Sequence, residues 1–233
     1  MNRGNFRITL FLFLVIAVGC SRGERNDDRP TDRPEGVTGD SDQLPGGDTA
    51  EIYKELVSEN EQPNRIIWQK PDLVLSKLGP LENKVVADIG AGTGYFSFRL
   101  ARKGARVIAI DIDPNAIEWM RLQKNRFTPE VRGNLDIRLA DRDDPNLGPG
   151  EADLVLMVNT YIYLNDRVQY LENLKNGIKP GARLVIIDFK KKSTMVGPLV
   201  DERISLLEVE KDLKSAGYSI LNSDDRSLDY QYI

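Results

Sequence analysis

The 233-residue chain contains no histidine. That removes the commonest general base near neutral pH and the commonest zinc ligand, and it excludes any catalytic triad built on imidazole. There is one cysteine, Cys20, so no intrachain disulfide can form. The paired acids Asp143-Asp144 and Asp224-Asp225 lack the spacing of a calcium loop and read as solvated loop residues, so no metal site is expected. Positive charge is not in excess: the formal net charge is −4. A mildly acidic chain has no long-range attraction for phosphate backbones, so nucleic acid is not expected as a partner. Lys190-Lys191-Lys192 reads as a solvated strand end.

What is present is 40% apolar and 29% charged, the balance of one soluble α/β domain with a full core and an appendage. The appendage is N-terminal. Arg3 and Arg7 precede an apolar run from Ile8 to Val18, too short to span about 30 Å of hydrocarbon as a helix. It ends in Ala17-Val18-Gly19-Cys20, which resembles a bacterial lipobox. The resemblance implies a signal peptide over residues 1–19, cleavage before Cys20 and lipidation of its sulfur. Loss of two arginines would take the charge from −4 to −6. Ser21 follows the cysteine, which by the family sorting rule favours the outer membrane in a host with two membranes. Residues 20–48 are rich in Gly, Pro and charge and read as a linker too polar to order itself, with ends about 30 Å apart as a coil.

Residues 49–233 alternate helix and strand. Helices are expected over Thr49–Asn60 and Pro71–Leu78, forming a helical extension up to residue 80. Next come a strand at Lys84–Asp88, a helix at Tyr95–Lys103 and a strand at Arg106–Asp111. A helix at Asn115–Arg126 follows, then strands at Asp136–Leu139 and Asp153–Val158. Val168, Leu171, Leu174 and Ile178 recur at helical spacing, Arg183–Phe189 is a strand, and Ser205-x-x-Glu208 opens a capped helix. Weak strands at Tyr218–Leu221 and Asp229–Ile233 complete the pattern. Apolar strands spaced by helices predict a mostly parallel sheet covered on both faces, with ligands at the strands' carboxyl ends.

The informative segment is Asp88-Ile89-Gly90-Ala91-Gly92-Thr93-Gly94, a buried strand running into three glycines and then a helix. Glycine permits positive φ and close ligand approach, and a helix start offers free N–H groups to an anion. The spacing is G-x-G-x-G, not the dinucleotide G-x-G-x-x-G, and Asp88 would repel a pyrophosphate. An ammonium suits that acid better. Asp111 ends the next strand, where a carboxylate can accept two ribose hydroxyls, and Ile112 can cover an adenine face.

Asp88 to Gly94 resembles motif I of class I S-adenosylmethionine (SAM) dependent methyltransferases, and Asp111 their ribose-binding acid. The resemblance runs from Trp68-Gln69-Lys70-Pro71 to the C-terminus and is closest to the type 11, ubiquinone/menaquinone-biosynthesis-like group. It implies a Rossmann-like, mostly parallel seven-stranded sheet with helices on both faces and an antiparallel last strand. SAM is the implied cofactor, held by Asp88, Gly90, Ala91, Gly92, Gly94, Asp111, Ile112, Asp141 and Asn159, and the implied partner is a small-molecule methyl acceptor. Asp141 stands in Ala140-Asp141-Arg142, matching a loop that contacts adenine in that group. Relatives often carry two histidines where this chain has Ile162-Tyr163, so any role of those histidines has no carrier. The chain also stops where relatives continue, so the last strand is expected to be short.

Asn159, Tyr161 and Tyr163 follow the fourth strand and are candidates for the acceptor pocket, against local capping and packing. Tyr95 could face the sulfonium or pack in the core, and Asp188 reads as structural more than catalytic. An exported domain would lie away from cytoplasmic SAM. Two other readings therefore stand beside an enzyme: a membrane-anchored non-catalytic module binding SAM or another nucleoside, and a cytoplasm-facing enzyme with an uncleaved anchor.

Overall fold

The computed structural model describes residues 48–60 and 64–233. The expected signal peptide, Cys20 and the linker up to residue 47 lie outside the described residues. No helix among the described residues is long and apolar enough to cross a membrane.

Three helices precede the sheet: α1 (Asp48–Asn60), α2 (Arg65–Gln69) and α3 (Pro71–Lys77). Lys70, in the left-handed region at φ 46°, turns the chain between α2 and α3, and Pro71 opens α3 with a φ already suited to a first turn. The alternation then runs β1 (Val85–Ile89), α4 (Ser97–Arg102), β2 (Arg106–Asp111), α5 (Pro114–Lys124), α6 (Pro129–Gly133), β3 (Leu135–Leu139), β4 (Ala152–Val158), α7 (Arg167–Gly177), β5 (Ile178–Phe189), α8 (Leu206–Ser215) and β6 (Gln231–Tyr232). Asp113 caps α5, its carboxylate accepting from Asn115 N–H at 2.9 Å. Ser205 and Glu208 form the expected reciprocal cap on α8.

The strand order is β3-β2-β1-β4-β5-β6. All pairings are parallel except β5 with β6. Chain winding reverses between β1 and β4, so their carboxyl ends open a crevice. Successive strand residues face opposite sides. Val86, Val107, Leu154 and Leu156 join one core with α3, α4 and α5. Ala87, Ile108, Val155 and Met157 join a second with α7 and α8. Tyr53 on α1 meets Trp119 on α5, with ring centroids 5.4 Å apart.

Two expectations are corrected. Six strands form among the described residues, not seven, because Tyr218–Leu221 is not a strand. Tyr218 is held back against the helices: its N–H donates to Leu213 O at 2.8 Å and its hydroxyl to Leu171 O at 2.9 Å. β6 has only two residues, as the short last strand predicted, and offers no length for a seventh strand to pair with. β5 also begins at Ile178 rather than Arg183. Ile178 faces Ala152 and Arg183 faces Leu154, so the residues between bulge out of register, with Gly181 at φ 78°.

Candidate functional site

β1 carries one polar residue into the core, and the structure provides for it. Asp88 is 2% exposed, and its Oδ2 accepts from Ser97 Oγ on α4 at 2.6 Å. Burial pushes the Asp88 carboxyl up to about 6, against the Ser97 hydrogen bond and the positive charge of Arg65; the negative charge of Asp111 adds to the rise. A buried carboxylate held with a single side-chain donor favours a cation beside it.

Beyond β1 the chain bends through Gly90, Gly92 and Gly94, at φ 72°, 56° and 84°. The N–H groups of Gly90 and Ala91 both donate to Ile110 O, at 2.9 and 3.0 Å, tying the bend to β2. A Cβ on Gly90 would lie 2.2 Å from Thr160 Oγ1, and one on Gly94 would lie 2.5 Å from the Phe98 ring. These positions therefore require glycine on two grounds, conformation and space.

Asp111 turns toward the bend. Its Oδ2 accepts from Gly92 N–H at 2.7 Å and its Oδ1 from Asp113 N–H at 3.0 Å. Burial raises its pKa, against those backbone donors. A carboxylate has about four lone-pair sites, so acceptor capacity remains for hydroxyl groups. Ile112 is 47% exposed beside it, and Leu139, the β3 residue in register with Asp111, is 48% exposed. Two bare apolar side chains at adjacent strand ends make a platform for a flat ring. Asp141 stands exposed in the following loop.

A cavity of about 580 Å³ opens between the bend, α2, the end of β4 and the loop after β5. Asp88, Gly90, Ala91, Asn159 and Tyr163 line it; Asp111, Ile112 and Asp141 do not. The structure thus brings the acidic strand end and the start of the bend, Gly90 and Ala91, to the cavity wall and leaves Gly92, Gly94 and the β2–β3 platform outside it. Three buried side-chain polar atoms lack a partner among the described residues: Trp68 Nε1, Thr93 Oγ1 and Tyr95 Oη. All belong to the bend or to residues lining the cavity, which fits a site completed by a ligand. No group of three or more acids or cysteines able to hold a metal occurs among the described residues.

The candidates after β4 separate. Asn159 lines the cavity with its backbone left-handed at φ 58°. Tyr163 lines it and is 62% exposed. Tyr161 does not reach it: the side chain is fully buried in the second core, and its hydroxyl donates to Asp212 Oδ2 at 3.2 Å. Helical alternation in the turn Tyr161–Tyr163 sends the two rings different ways. Asp188 is structural as read, accepting from Phe189 N–H at 2.8 Å and Ile162 N–H at 3.4 Å. Burial pushes it up to about 6. The Tyr95 ring is covered by guanidinium groups, Arg65 at 4.0 Å and Arg99 at 3.8 Å from its centroid.

Two residues missed by sequence reasoning, Gln69 and Gln231, close a ring of amides with Asn159, which lines the cavity. Asn159 Nδ2 donates to Gln69 Oε1 at 3.5 Å, Gln69 Nε2 to Gln231 Oε1 at 2.6 Å, and Gln231 Nε2 to Asn159 Oδ1. Arg65 Nε adds a bond to Gln69 Oε1 at 3.1 Å. Gln69 lay inside the Trp68–Pro71 segment, but nothing local marked it as a partner of Gln231.

Comparison with known proteins agrees with this geometry. Residues 87–184 match the model of a methyltransferase domain family. The chain is 41% identical over 78 residues to magnesium-protoporphyrin O-methyltransferase of Rhodobacter capsulatus, covering 34% of this chain and 33% of that one. It is 33% identical over 121 residues to demethylmenaquinone methyltransferase of Tropheryma whipplei, covering 52% and 48%. The chain thus spans less than half the length of these two relatives. A crystal structure of a SAM-dependent methyltransferase from Aquifex aeolicus superposes with a TM-score of 0.70 at 26% identity, over 80% of this chain and 96% of that one. The strand order, the bend after β1 and these matches define an α/β, Rossmann-like nucleoside-binding fold. The chain has the Rossmann-like fold of the class I SAM-dependent methyltransferases.

Proposed function

We propose that this chain is a SAM-dependent methyltransferase acting on a small molecule. The observation that carries the proposal is the Asp111 carboxylate turned onto the Gly92 N–H beside buried Asp88. Such a site has a place for each polar end of SAM: Asp88 for the ammonium, the bend at Gly90, Ala91, Gly92 and Gly94 for close approach, and Asp111 for the ribose hydroxyls. Ile112 would cover adenine, Asp141 would reach its edge, and Asn159 would close the cavity wall. SAM supplies a methyl group already activated by its sulfonium. The chain's own residues then have to hold acceptor and donor in line, a positioning effect worth up to about 7–11 kcal/mol. Tyr163 and Asn159 are the side chains proposed to face the acceptor.

The test is calorimetry with SAM and S-adenosylhomocysteine, followed by transfer of a radiolabelled methyl group to a metabolite extract. Absence of binding to either nucleoside rules the proposal out. Binding without transfer to any metabolite favours a non-catalytic module. The partial match to demethylmenaquinone methyltransferase makes quinone precursors reasonable first acceptors to test. The acidic charge argues against a nucleic-acid substrate.

The N-terminal pattern supports export and anchoring through lipidated Cys20, in the outer membrane where the host has two. Incorporation of labelled palmitate into the native chain but not into Cys20→Ser tests it, and protease accessibility in cells separates export from a cytoplasm-facing anchor.

A further inference from the structure

We propose that the mouth of the cavity is a docking face for an anionic lipid surface. The docking does not rest on the methyltransferase reading.

Three of the segments that wall the cavity hold apolar side chains out in water. α2 turns Arg65, Trp68 and Gln69 inward and leaves Ile66 and Ile67 59% and 68% exposed. Tyr163, itself part of the wall, is 62% exposed. The loop after β5 contributes Gly197 and Pro198 to the wall while Met195 and Leu199 stand 90% and 74% exposed. Single exposed apolar residues are ordinary, but several on segments that wall one opening mark an interaction surface.

The loop is not exposed for want of anchorage. Arg203 is 3% exposed, and its guanidinium donates to the carbonyls of Pro198 (2.9 and 2.7 Å), Lys190 (3.1 Å), Lys192 (2.7 Å) and Val196 (3.2 Å). The same guanidinium lies 5.1 Å from the Phe189 ring centroid, and a Cβ on Gly197 would lie 2.5 Å from that ring. A saturated, buried arginine therefore holds Met195 and Leu199 outward.

The choice of occupant follows from charge. Lys191 and Lys192 are exposed on this loop, beside the apolar tips. Apolar side chains that enter the acyl boundary, with lysines at headgroup level, are the pattern of an interfacial contact with anionic lipid. The chain as a whole is acidic and the exposed Asp201 and Glu202 follow Leu199, so the attraction is confined to the Lys191–Lys192 side of the loop.

The test uses residues 48–233, which lie within one compact unit holding the whole sheet and both cores and which lack Cys20. Sedimentation is measured with vesicles of phosphatidylglycerol and phosphatidylcholine, and with phosphatidylcholine alone. The expected result is co-sedimentation favouring the anionic vesicles. Ile67→Asp with Met195→Asp should weaken it at least tenfold while S-adenosylhomocysteine affinity is unchanged. Leu221→Asp, also at an exposed leucine but along the β5 edge, should bind as the native sequence does. In a Trp119→Phe background, brominated acyl chains should quench the remaining Trp68, a readout that needs no rim substitution. A protein left in the supernatant by every vesicle overturns the inference. So does a double variant that binds as well as native, or a dimer that the same two substitutions dissolve, which would make the occupant a second copy. Each result leaves the SAM-binding test standing by itself.

Discussion

Gln69 and Gln231 lie 162 positions apart and share a hydrogen bond of 2.6 Å, both side chains fully buried. The bond joins α2 to β6, and Asn159, which lines the cavity, closes the ring from the end of β4. Three segments distant in the chain therefore hold one another where Asn159 meets the cavity. Replacing either glutamine by leucine leaves a buried amide unpaired, which costs about 1–3 kcal/mol. Chemical denaturation of Gln69→Leu, Gln231→Leu and the double variant should show a double loss well below the sum of the singles. Additive losses would mean that the two amides do not act together.

Asp111→Ala is expected to weaken SAM binding by about 1–3 kcal/mol, the range for charge-assisted hydrogen bonds to two hydroxyls. An affinity within twofold of native would remove the ribose assignment.

SAM binding through Asp88 is expected to depend on pH. Its folded pKa, about 6, stands above the ordinary 3.8. The unfolded chain therefore releases this proton first, and the contribution of Asp88 to stability falls as pH rises from about 4 to about 6, then levels off. Binding an ammonium needs the ionised form. SAM affinity should decline by up to about tenfold between pH 7 and pH 5, since roughly a tenth of the carboxyl is ionised one unit below its pKa. Asp88→Asn should abolish that dependence and weaken SAM binding. It should also stabilise the ligand-free chain at pH 8 by about 1–3 kcal/mol, because a buried charge is removed. A native titration that is flat over this range would sink the role of Asp88.

Gly90→Ala forces a side chain into the space of Thr160 at a φ of 72°. Loss of SAM binding is expected with a destabilisation of about 1–3 kcal/mol. Thr160→Ala removes the two nearest atoms and should restore part of the stability but not all, because the backbone strain remains. Full rescue would show that crowding alone matters there.

Tyr161→Phe removes a hydroxyl that meets Asp212 inside the second core. It should lower the melting temperature and leave SAM affinity and acceptor KM unchanged. A raised acceptor KM would return Tyr161 to the cavity.

Much of this was written locally. The alternation of buried strands with helices, the caps at Asp113 and Ser205, and the glycine bend after Asp88 depend on residues within a few positions of one another, and local patterns report such features faithfully. The same holds for Asp111, which needs only to end the strand beside β1 to face the bend. Short-range steric and hydrogen-bond rules were enough for the fold class and for the glycine bend with Asp88 and Asp111 beside it.

The cavity was decided elsewhere. Which of Asn159, Tyr161 and Tyr163 enters it depended on one tight turn, where a single residue's rotation sends a ring from solvent to core. The failure of Tyr218–Leu221 to become a strand depended on contacts with Leu171 and Leu213. Arg65, Gln69, Gln231 and Arg203 carried no periodicity, because their partners are carbonyls and amides brought close only when the sheet closes. Contacts between distant segments are set by packing, and packing is a property of the folded chain rather than of any stretch of its sequence.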